Sequence, residues 1–319
     1  MAGGIQAVDW VWRDGEFVRW EDATIHVLSH AVQFGSSIFE GIRCYETADG
    51  PAVFRLGAHL RRFEDSCRIY RTELPYRIDE LATASLDLIR RNELSACYLR
   101  PMVVNGYGAA GMVPDASPTH VFLCAWPWGT YLGEGALEDG VDVCVSSWQR
   151  PEPNTYPVAA KVAGNYLNSQ LAKREALENG YVEAIELGPG GVVSEGSGQN
   201  LFLVRDGELI TPAVDGTMLN GITRDSVLTL AREEGLSVHE RAVPREALYT
   251  ADELFFTGTA AEVTPIRGVD RIPIGNGAVG PVTQRLQKRF LDIVHGRSPD
   301  AHGWLTRVRE EAPAGGAGE

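Results

Sequence analysis

The residues with the clearest chemical potential lie in one stretch, between residues 161 and 224. Lys161 stands among small uncharged residues, after a segment that prolines interrupt and before a predicted helix. Because burial away from other charges favours a neutral amine, such a lysine could form a Schiff base with an aldehyde. An ordinary solvated lysine fits the same spacing. Lys161 is therefore a candidate nucleophile whose surroundings decide its role.

A second candidate is Glu195, which ends a predicted strand and is followed by Gly-Ser-Gly. Glycines allow a ligand to approach the backbone closely. A carboxylate at this point could pair with a protonated pyridine nitrogen and keep that ring electron-poor. A turn glutamate that faces water would have the same local sequence, so the pattern alone leaves both interpretations open.

Two glycine-led segments predict anion binding. Gly221-Ile222-Thr223 opens a predicted helix, where free backbone N–H groups and a hydroxyl suit a phosphate. Gly258-Thr259-Ala260 follows a predicted strand and offers a similar set of donors. Arg62, beside the apolar face of another predicted helix, could add a charge-assisted hydrogen bond. Threonine caps and surface arginines are the ordinary alternatives.

A longer pattern joins these features. One part of it is Glu195-x-Ser197-x-x-Asn200-Leu201-Phe202, then Leu209-Ile210-Thr211, then Leu219-x-Gly221-Ile222-x-Arg224. Further parts are Phe39-Glu-Gly41-Ile-Arg43, Tyr98-Leu-Arg100-Pro, Pro127-Trp128-Gly-Thr-Tyr131-Leu-Gly and Gly258-Thr-Ala-Ala-Glu-Val-Thr-Pro265. In these motifs the chain resembles the class IV pyridoxal-phosphate aminotransferases, and within the class the bacterial branched-chain amino acid aminotransferases. The resemblance extends from about Val11 to Val308.

The resemblance implies an α+β chain of fold type IV. Its two domains would be a small α/β first domain and a larger second domain built around a β-barrel. The implied cofactor is pyridoxal 5'-phosphate, and no metal is expected. Members of the family form homodimers, so a homodimer or higher homo-oligomer is expected here. The loop at residues 105–118 would then complete the partner's pocket.

The resemblance also implies a role for each matching residue. Lys161 would hold the cofactor as a Schiff base and shuttle the proton during catalysis. Glu195 would keep the pyridine nitrogen protonated, and Tyr166 would bind the oxygen on the ring. The residues expected to bind the phosphate are Arg62, Ile222, Thr223 and Thr259. The residues expected to bind the substrate are Phe39, Tyr98, Arg100, Trp128, Tyr131, Thr259 and Ala260, the last two through backbone amides to its α-carboxylate.

The chain departs from the family at one pocket position. Phe34 stands where the family commonly has a tyrosine, in His30-Ala-Val-Gln-Phe34-Gly. Loss of the hydroxyl would make the pocket more apolar, or would be neutral for packing. The loop at residues 105–118 also differs from the family's usual patterns. Both departures bear on the substrate rather than on the chemistry.

The resemblance implies transfer of an amino group from an L-branched-chain amino acid (leucine, isoleucine, valine or a related aliphatic amino acid) to 2-oxoglutarate in two half-reactions. A D-amino acid or R-amine transaminase and an aminodeoxychorismate-type lyase are alternatives on the same scaffold. Arg43, Tyr98 and Arg100 favour the first reaction. A non-enzymatic binding module is the remaining alternative, and it would form no chromophore with Lys161.

Composition limits the class of protein further. The chain has 319 residues and a formal net charge of −14, which opposes binding to nucleic acid or anionic membranes. No apolar run approaches the roughly 20 residues of a membrane-spanning helix. Five dispersed cysteines and no visible secretory signal favour a reducing, cytoplasmic location. The expected partners are small molecules and a second copy of the chain.

Several elements must position the candidate residues. Periodicity predicts a strand over residues 38–45, helices over 57–71 and 165–179, and two hairpins over 183–195 and 201–210. Asp79 and Thr223 are predicted to cap helices. The predicted division is a small domain at residues 1–126, a connector at 127–136, a large domain at 137–308 and a flexible tail at 309–319.

Overall fold

The computed structural model describes residues 4–129 and 131–308. The tail predicted at residues 309–319 lies outside the described residues. The strands are β1 (Trp10–Arg13), β2 (Glu16–Arg19), β3 (Ile38–Phe39), β4 (Ile42–Tyr45), β5 (Ala52–Phe54), β6 (Cys97–Asn105), β7 (Thr119–Trp126), β8 (Val141–Gln149), β9 (Glu183–Leu187), β10 (Val193–Gly196), β11 (Asn200–Arg205), β12 (Glu208–Thr211), β13 (Val238–Glu240), β14 (Glu253–Gly258), β15 (Glu262–Val269), β16 (Ile272–Pro273) and β17 (Leu305–Arg307). The α-helices are α1 (His30–Phe34), α2 (Leu56–Ile69), α3 (Ile78–Arg91), α4 (Ala136–Asp139), α5 (Tyr166–Glu178), α6 (Ile222–Glu233), α7 (Glu246–Thr250) and α8 (Pro281–Val294).

The first sheet has the order β17-β5-β4-β6-β7-β1-β2, with β3 paired to β6. Helices α2 and α3 cover it through a core that includes Leu60, Phe63, Leu81 and Leu88, all with no exposed surface. The periodic apolar face predicted for α2 is therefore the buried face. β17 comes from the end of the described chain, so the range 137–308 predicted as a second domain contributes one strand to the first sheet.

The second sheet has the order β10-β9-β8-β15-β14-β11-β12-β13, with β16 paired to β15. The chain just after β13 returns to β10, where the backbone N–H of Val193 donates to the carbonyl of Val243 at 2.8 Å. Because this contact joins the two ends of the strand order, the sheet curls into a barrel-like shape. The barrel-based second domain expected from the resemblance is confirmed in this form.

A further core layer joins the two sheets. Phe202 and Phe255 stack with ring centroids 5.0 Å apart, and α6 and α8 pack over them. Phe54 of the first sheet contacts Phe290 of α8 at 5.4 Å in the same layer. Burying each such side chain contributes about 1.5–3 kcal/mol, so this layer holds the cleft between the two sheets in one geometry.

Three local predictions need correction. The strand predicted over residues 38–45 is divided by Glu40 and Gly41 into β3 and β4. Helix α3 begins at Ile78, so Asp79 lies inside it rather than capping it, and Glu80 Oε2 accepts the Arg77 N–H at 2.8 Å. Gly221, not Thr223, precedes α6, and no side chain caps that helix. Within the described residues, no helix has the length and apolarity to cross a membrane.

Candidate active site

The candidate site is a cleft between the two sheets with about 750 Å³ of empty space, counting its open mouth. That volume lies in the range of about 300–1,000 Å³ typical of small-molecule sites. Nine of the predicted site residues line the cleft, namely Arg62, Tyr98, Lys161, Tyr166, Glu195, Ile222, Thr223, Thr259 and Ala260. Phe39, Arg100, Trp128 and Tyr131 form an adjoining aromatic group.

Lys161 is held rigidly at one side of the cleft. Its backbone N–H donates to Ser66 Oγ of α2 at 3.0 Å, and its carbonyl accepts the N–H of Phe39 at 3.0 Å. The Lys161 Nζ donates to Tyr166 Oη at 2.5 Å and lies 5.0 Å from the centroid of the Phe39 ring. Among the described residues, no carboxylate forms an ion pair with it. The sequence prediction of a lysine without a charged partner therefore agrees with the structure.

Glu195 lies at the other side of the same cleft and is buried. Its carboxylate contacts Arg150 Nη2 at 3.1 Å and accepts weaker hydrogen bonds from Asn200 Nδ2 at 3.3 Å and the backbone N–H of Leu219 at 3.4 Å. Burial raises the pKa of Glu195 to about 7, although Arg150 and the Leu219 N–H oppose that rise. A cationic ring nitrogen beside this carboxylate would stabilise its ionised form.

Arg150 was not predicted from the sequence, and neither was Glu186, which shares it. Glu186 has no exposed side-chain surface, lies 3.6 Å from Arg150 Nη1, and is directly opposite Glu195 in the pairing of β9 with β10. Burial, with Glu195 and Glu183 adding to it, raises the pKa of Glu186 to about 8 against the opposing effect of Arg150. Two carboxylates and one guanidinium thus form a coupled buried group.

The N-terminus of α6 points its free donors into the cleft. Because no side chain caps this helix, the N–H groups of its first turn, including Ile222 and Thr223, are available to an anion. Arg62 Nη1 donates to the carbonyl of Asn220, just before the helix, at 2.9 Å. Helix dipole, backbone donors and a guanidinium therefore converge, as a phosphate group requires.

Arg62 is oriented by a buried carboxylate that sequence reasoning also missed. Glu40 accepts from Arg62 Nε at 2.6 Å and from Arg62 Nη2 at 2.9 Å, and His59 Nδ1 lies 2.8 Å from the same carboxylate. Burial alone would raise the pKa of Glu40, but Arg62 and His59 outweigh it and hold that pKa well below the ordinary value. Glu40 is thus an ionised anchor that fixes the guanidinium.

The turn after β14 supplies the opposite wall. Thr259 and Ala260 line the cleft, and Thr257 Oγ1 beside them is buried without a hydrogen-bond partner in the described part of the chain. Glu262, the first residue after the turn, has φ +55° and reaches Arg43 on β4, with Nη1 and Oε2 3.4 Å apart. This ion pair ties the turn to the first sheet.

The adjoining aromatic group surrounds a guanidinium. Arg100 lies over the rings of Phe39, Tyr98 and Trp126 at 4.7, 5.2 and 5.7 Å. In the ranges 4–129 and 131–308 it forms no ion pair, and its Nε has no acceptor. The Trp128 ring lies 4.8 Å from Tyr98 and 6.3 Å from Tyr131. An apolar pocket with one unpaired cation results.

The two departures noted in the sequence lie at the surface of the single chain. Phe34 is 41% exposed, does not line the cleft, and packs on His30 at 4.6 Å. Met112 in the loop at residues 105–118 is 76% exposed, while its carbonyl lies 3.2 Å from His30 Nε2. Phe34 and the loop are therefore connected through His30.

The donor set fits a phosphorylated pyridine aldehyde. An amine without a carboxylate partner, a buried carboxylate across the cleft, and free N–H groups with a guanidinium match the three polar ends of such a molecule. The partnerless Thr257 hydroxyl adds a further donor within the same cleft.

With this geometry the family can be stated: residues 37–269 match the model of amino-transferase class IV, and the chain belongs to that family. Its architecture is that of fold type IV. The branched-chain-amino-acid aminotransferase of Escherichia coli (strain K12) is 50% identical over 303 residues, which cover 95% of this chain and 98% of that protein.

Solved structures agree with this assignment. The branched-chain amino acid aminotransferase of the organism abbreviated T.th., with pyridoxamine 5'-phosphate, has a TM-score of 0.92 at 47% identity, and covers 96% of this chain and 100% of that one. The same enzyme complexed with N-(5'-phosphopyridoxyl)-L-glutamate has a TM-score of 0.91 at 46% identity, with coverage of 95% and 100%.

Proposed function

We propose that this protein is a pyridoxal-5'-phosphate-dependent aminotransferase that moves the amino group of L-branched-chain amino acids to 2-oxoglutarate in two half-reactions. The observation that carries the proposal is the placement of Lys161 and Glu195 on opposite sides of one cleft, beside the uncapped N-terminus of α6. The names of the relatives support the choice of amino acid.

The cofactor would be held by the residues predicted from the sequence. Arg62, the backbone of Ile222 and Thr223, and Thr259 would bind the phosphate. Glu195 would face the pyridine nitrogen, and Tyr166 would bind the ring oxygen. When bound, pyridoxal phosphate supplies an aldehyde that takes up the amino group and a ring that stabilises negative charge at the substrate's Cα.

Lys161 would be both the covalent anchor and the base. Its Nζ has no carboxylate partner among the described residues that would hold it protonated, and the Tyr166 hydroxyl lies 2.5 Å away to orient it. As general base, Nζ would take the proton from the substrate's Cα and return it to the cofactor side of the cleft. Glu195 would keep a proton on the ring nitrogen throughout, because its own partners are fixed.

The two substrates would share one pocket. Thr259 and Ala260 amides, with Tyr98, would receive the α-carboxylate. Phe39, Trp128 and Tyr131 would contact a branched aliphatic side chain, and Arg100 would pair with the second carboxylate of glutamate or 2-oxoglutarate. The complex of a relative with a phosphopyridoxyl-glutamate compound supports the second half of this proposal.

The active form is proposed to be a homodimer in the cytoplasm. Exposed apolar side chains gather near the loop at residues 105–118, including Val32, Met112 and Val113 at 55, 76 and 62% exposure. A second copy of the chain would cover such a patch. The division into domains at the connector 127–136 remains part of this proposal, with β17 belonging to the first sheet.

The test is a panel of amino donors with 2-oxoglutarate and reconstituted protein. We expect glutamate and the matching 2-oxo acid from L-leucine, L-isoleucine and L-valine, with no pyruvate from aminodeoxychorismate and no turnover of D-amino acids or R-amines. Lys161→Ala should abolish turnover and the lysine-bound chromophore, whereas the exposed Lys288→Ala should keep both. Wild-type turnover by Lys161→Ala would refute the assignment.

A further inference from the structure

Glu183, the first residue of β9, is a fully buried carboxylate with every acceptor position filled. Its Oε1 accepts from the backbone N–H of Ala184 at 2.8 Å and from Ser197 Oγ at 2.6 Å. Its Oε2 accepts from Gln199 Nε2 at 3.0 Å and from Lys173 Nζ at 2.8 Å. Four donors compensate the buried charge, which is otherwise costly.

These donors belong to two different walls of the cleft. Lys173 lies on α5, the helix that begins with Tyr166, about two turns further along. Ser197 and Gln199 lie in the turn that follows Glu195, and both line the cleft. One carboxylate therefore connects the helix on the Lys161 side to the turn on the Glu195 side.

The turn is closed tightly around Gln199. The Gly198 N–H donates to Gln199 Oε1 at 3.2 Å, and the Gly196 N–H donates to the Gln199 carbonyl at 2.7 Å. The turn then packs on Gly258, where an added Cβ would lie 3.5 Å from the Gly198 carbonyl oxygen. Gly258 directly precedes Thr259, so the turn sets the place of the proposed carboxylate-binding amides.

The same carboxylate reaches the side-chain pocket through Lys173. The Lys173 Nζ lies 5.8 Å from the centroid of the Tyr131 ring. Burial, and after it the charge on Glu183, raise the pKa of the Tyr131 phenol well above its ordinary value. Tyr131 thus lies within the electrostatic influence of this group as well as against Trp128.

We propose that Glu183, with Lys173, is a positioning residue for substrate binding, which fixes the turn at residues 197–199 against Gly258 and the ring of Tyr131 at the pocket. It touches neither the cofactor nor the substrate and acts through the residues that do. The proposal rests on the proposed function only for the identity of the substrate.

Glu183→Gln is the discriminating variant. The introduced amide keeps one oxygen for Ala184 and Ser197, but its NH₂ group would face the donors of Gln199 and Lys173. Lys173→Met is a milder second variant, because it leaves Glu183 three of its four donors. Glu253→Gln is the matched control: Glu253 is 7% exposed and accepts from Val282 and Thr283 at the start of α8, away from the cleft.

Amide hydrogen exchange of the cofactor-free protein reads the turn directly. In Glu183→Gln the amides of residues 196–199 should exchange about tenfold faster, because two hydrogen-bond donors lose their acceptor. The β6–β7 strands should exchange as in the wild type. Glu253→Gln should instead affect the start of α8 and leave residues 196–199 unchanged.

Steady-state kinetics supply the second arm. Glu183→Gln should raise KM for L-leucine about tenfold and lower kcat less, because the displaced wall acts on substrate binding. Lys173→Met should move KM in the same direction by a smaller factor. The swap Glu183→Gln with Gln199→Glu restores an amide-to-carboxylate bond between these positions and should recover most of the lost protection and KM.

Unchanged exchange at residues 196–199 in Glu183→Gln would overturn the proposal, as would equal KM effects in Glu253→Gln. Exchange that rises throughout the chain in Glu183→Gln and in Lys173→Met would assign the group to general folding and also overturn it. Because the exchange arm needs no turnover, a wild-type protein without transaminase activity would refute the proposed function while leaving this result intact.

Discussion

Glu186 and Glu195 are directly opposite each other on β9 and β10, and the guanidinium of Arg150 contacts both carboxylates. All three side chains are buried, so their charges are felt strongly by one another. The proton content of this group is shared, and the apparent pKa values belong to the set. A carboxylate facing a cofactor ring thus has a proton reservoir one strand away.

The first prediction concerns the stability of the cofactor-free protein as pH changes. The pKa of Glu186 is raised to about 8, above the ordinary value of 4.5. The folded chain therefore holds a proton that the unfolded chain loses. Its contribution to the free energy of unfolding is complete below pH 4.5 and is lost as pH rises through 8, at up to about 1.4 kcal/mol per pH unit.

Glu186→Gln should remove that dependence, so the variant should gain stability relative to the wild type between about pH 5 and 8. Urea unfolding at several pH values measures the difference. Glu178→Gln, at the exposed end of α5, is the control and should keep the wild-type slope. Parallel slopes for Glu186→Gln and the wild type would contradict the prediction.

A second prediction tests Arg150 itself. Arg150→Met leaves two buried carboxylates without their cation and removes hydrogen bonds to Thr217 and Ser169. Breaking such a buried arrangement should cost about 3–5 kcal/mol of unfolding free energy. Arg232→Met removes an exposed ion pair with Glu240 and should cost about 0–1 kcal/mol. Equal losses in denaturant titrations would show that burial does not govern the difference.

The third prediction separates the two substrates. Arg100→Met keeps the length of the side chain and the contacts with the rings of Phe39 and Tyr98, but removes the cation. Since a charge-assisted hydrogen bond contributes about 1.5–3 kcal/mol, kcat/KM for glutamate should fall about 10–100-fold. The value for L-leucine should change less than about threefold, because its side chain needs only the apolar wall. A uniform loss for both substrates would argue against this role of Arg100.

Sequence reasoning located the residues whose roles depend on local motifs. Lys161, Glu195, Arg62 and the start of α6 lie in one cleft because each follows a recognisable turn or helix start. The cap predictions at Asp79 and Thr223 failed by one or two residues, where neighbouring backbone positions compete for the same helix end. The missing cap at α6 is itself informative, because it leaves donors for an anion.

Residues that act through long-range contacts were not found. Arg150 meets Glu195 only after β8, β9 and β10 pair, and Glu40 meets Arg62 only when α2 packs on the first sheet. One signal was present: Glu183 and Glu186 stand in the otherwise apolar run Glu-Ala-Ile-Glu-Leu. A strand buried on both faces must bury such charges, which predicts partners without naming them.

The last prediction concerns Gly41, whose place inside a predicted strand indicated a close approach. The approaching group is the ring of Tyr98, because an added Cβ at Gly41 would lie 1.8 Å from Tyr98 Oη and 2.7 Å from its Cζ. Tyr98 cannot move freely, since Trp126 and Trp128 pack on it at 5.3 and 4.8 Å. Gly41→Ala should therefore push the Tyr98 hydroxyl out of its place in the cleft.

A misplacement of about 1 Å can cost about 100-fold in rate, so kcat/KM for L-leucine should fall by about 10–100-fold in Gly41→Ala. Gly57→Ala in α2 is the matched control: its Cβ would meet only Arg61 Nη1, at 3.5 Å. Alanine is the better helix former by about 1 kcal/mol, so this control should keep full activity and equal or greater stability. Unchanged kinetics in Gly41→Ala would mean that the Tyr98 ring has room to retreat, and that its hydroxyl does not fix the substrate.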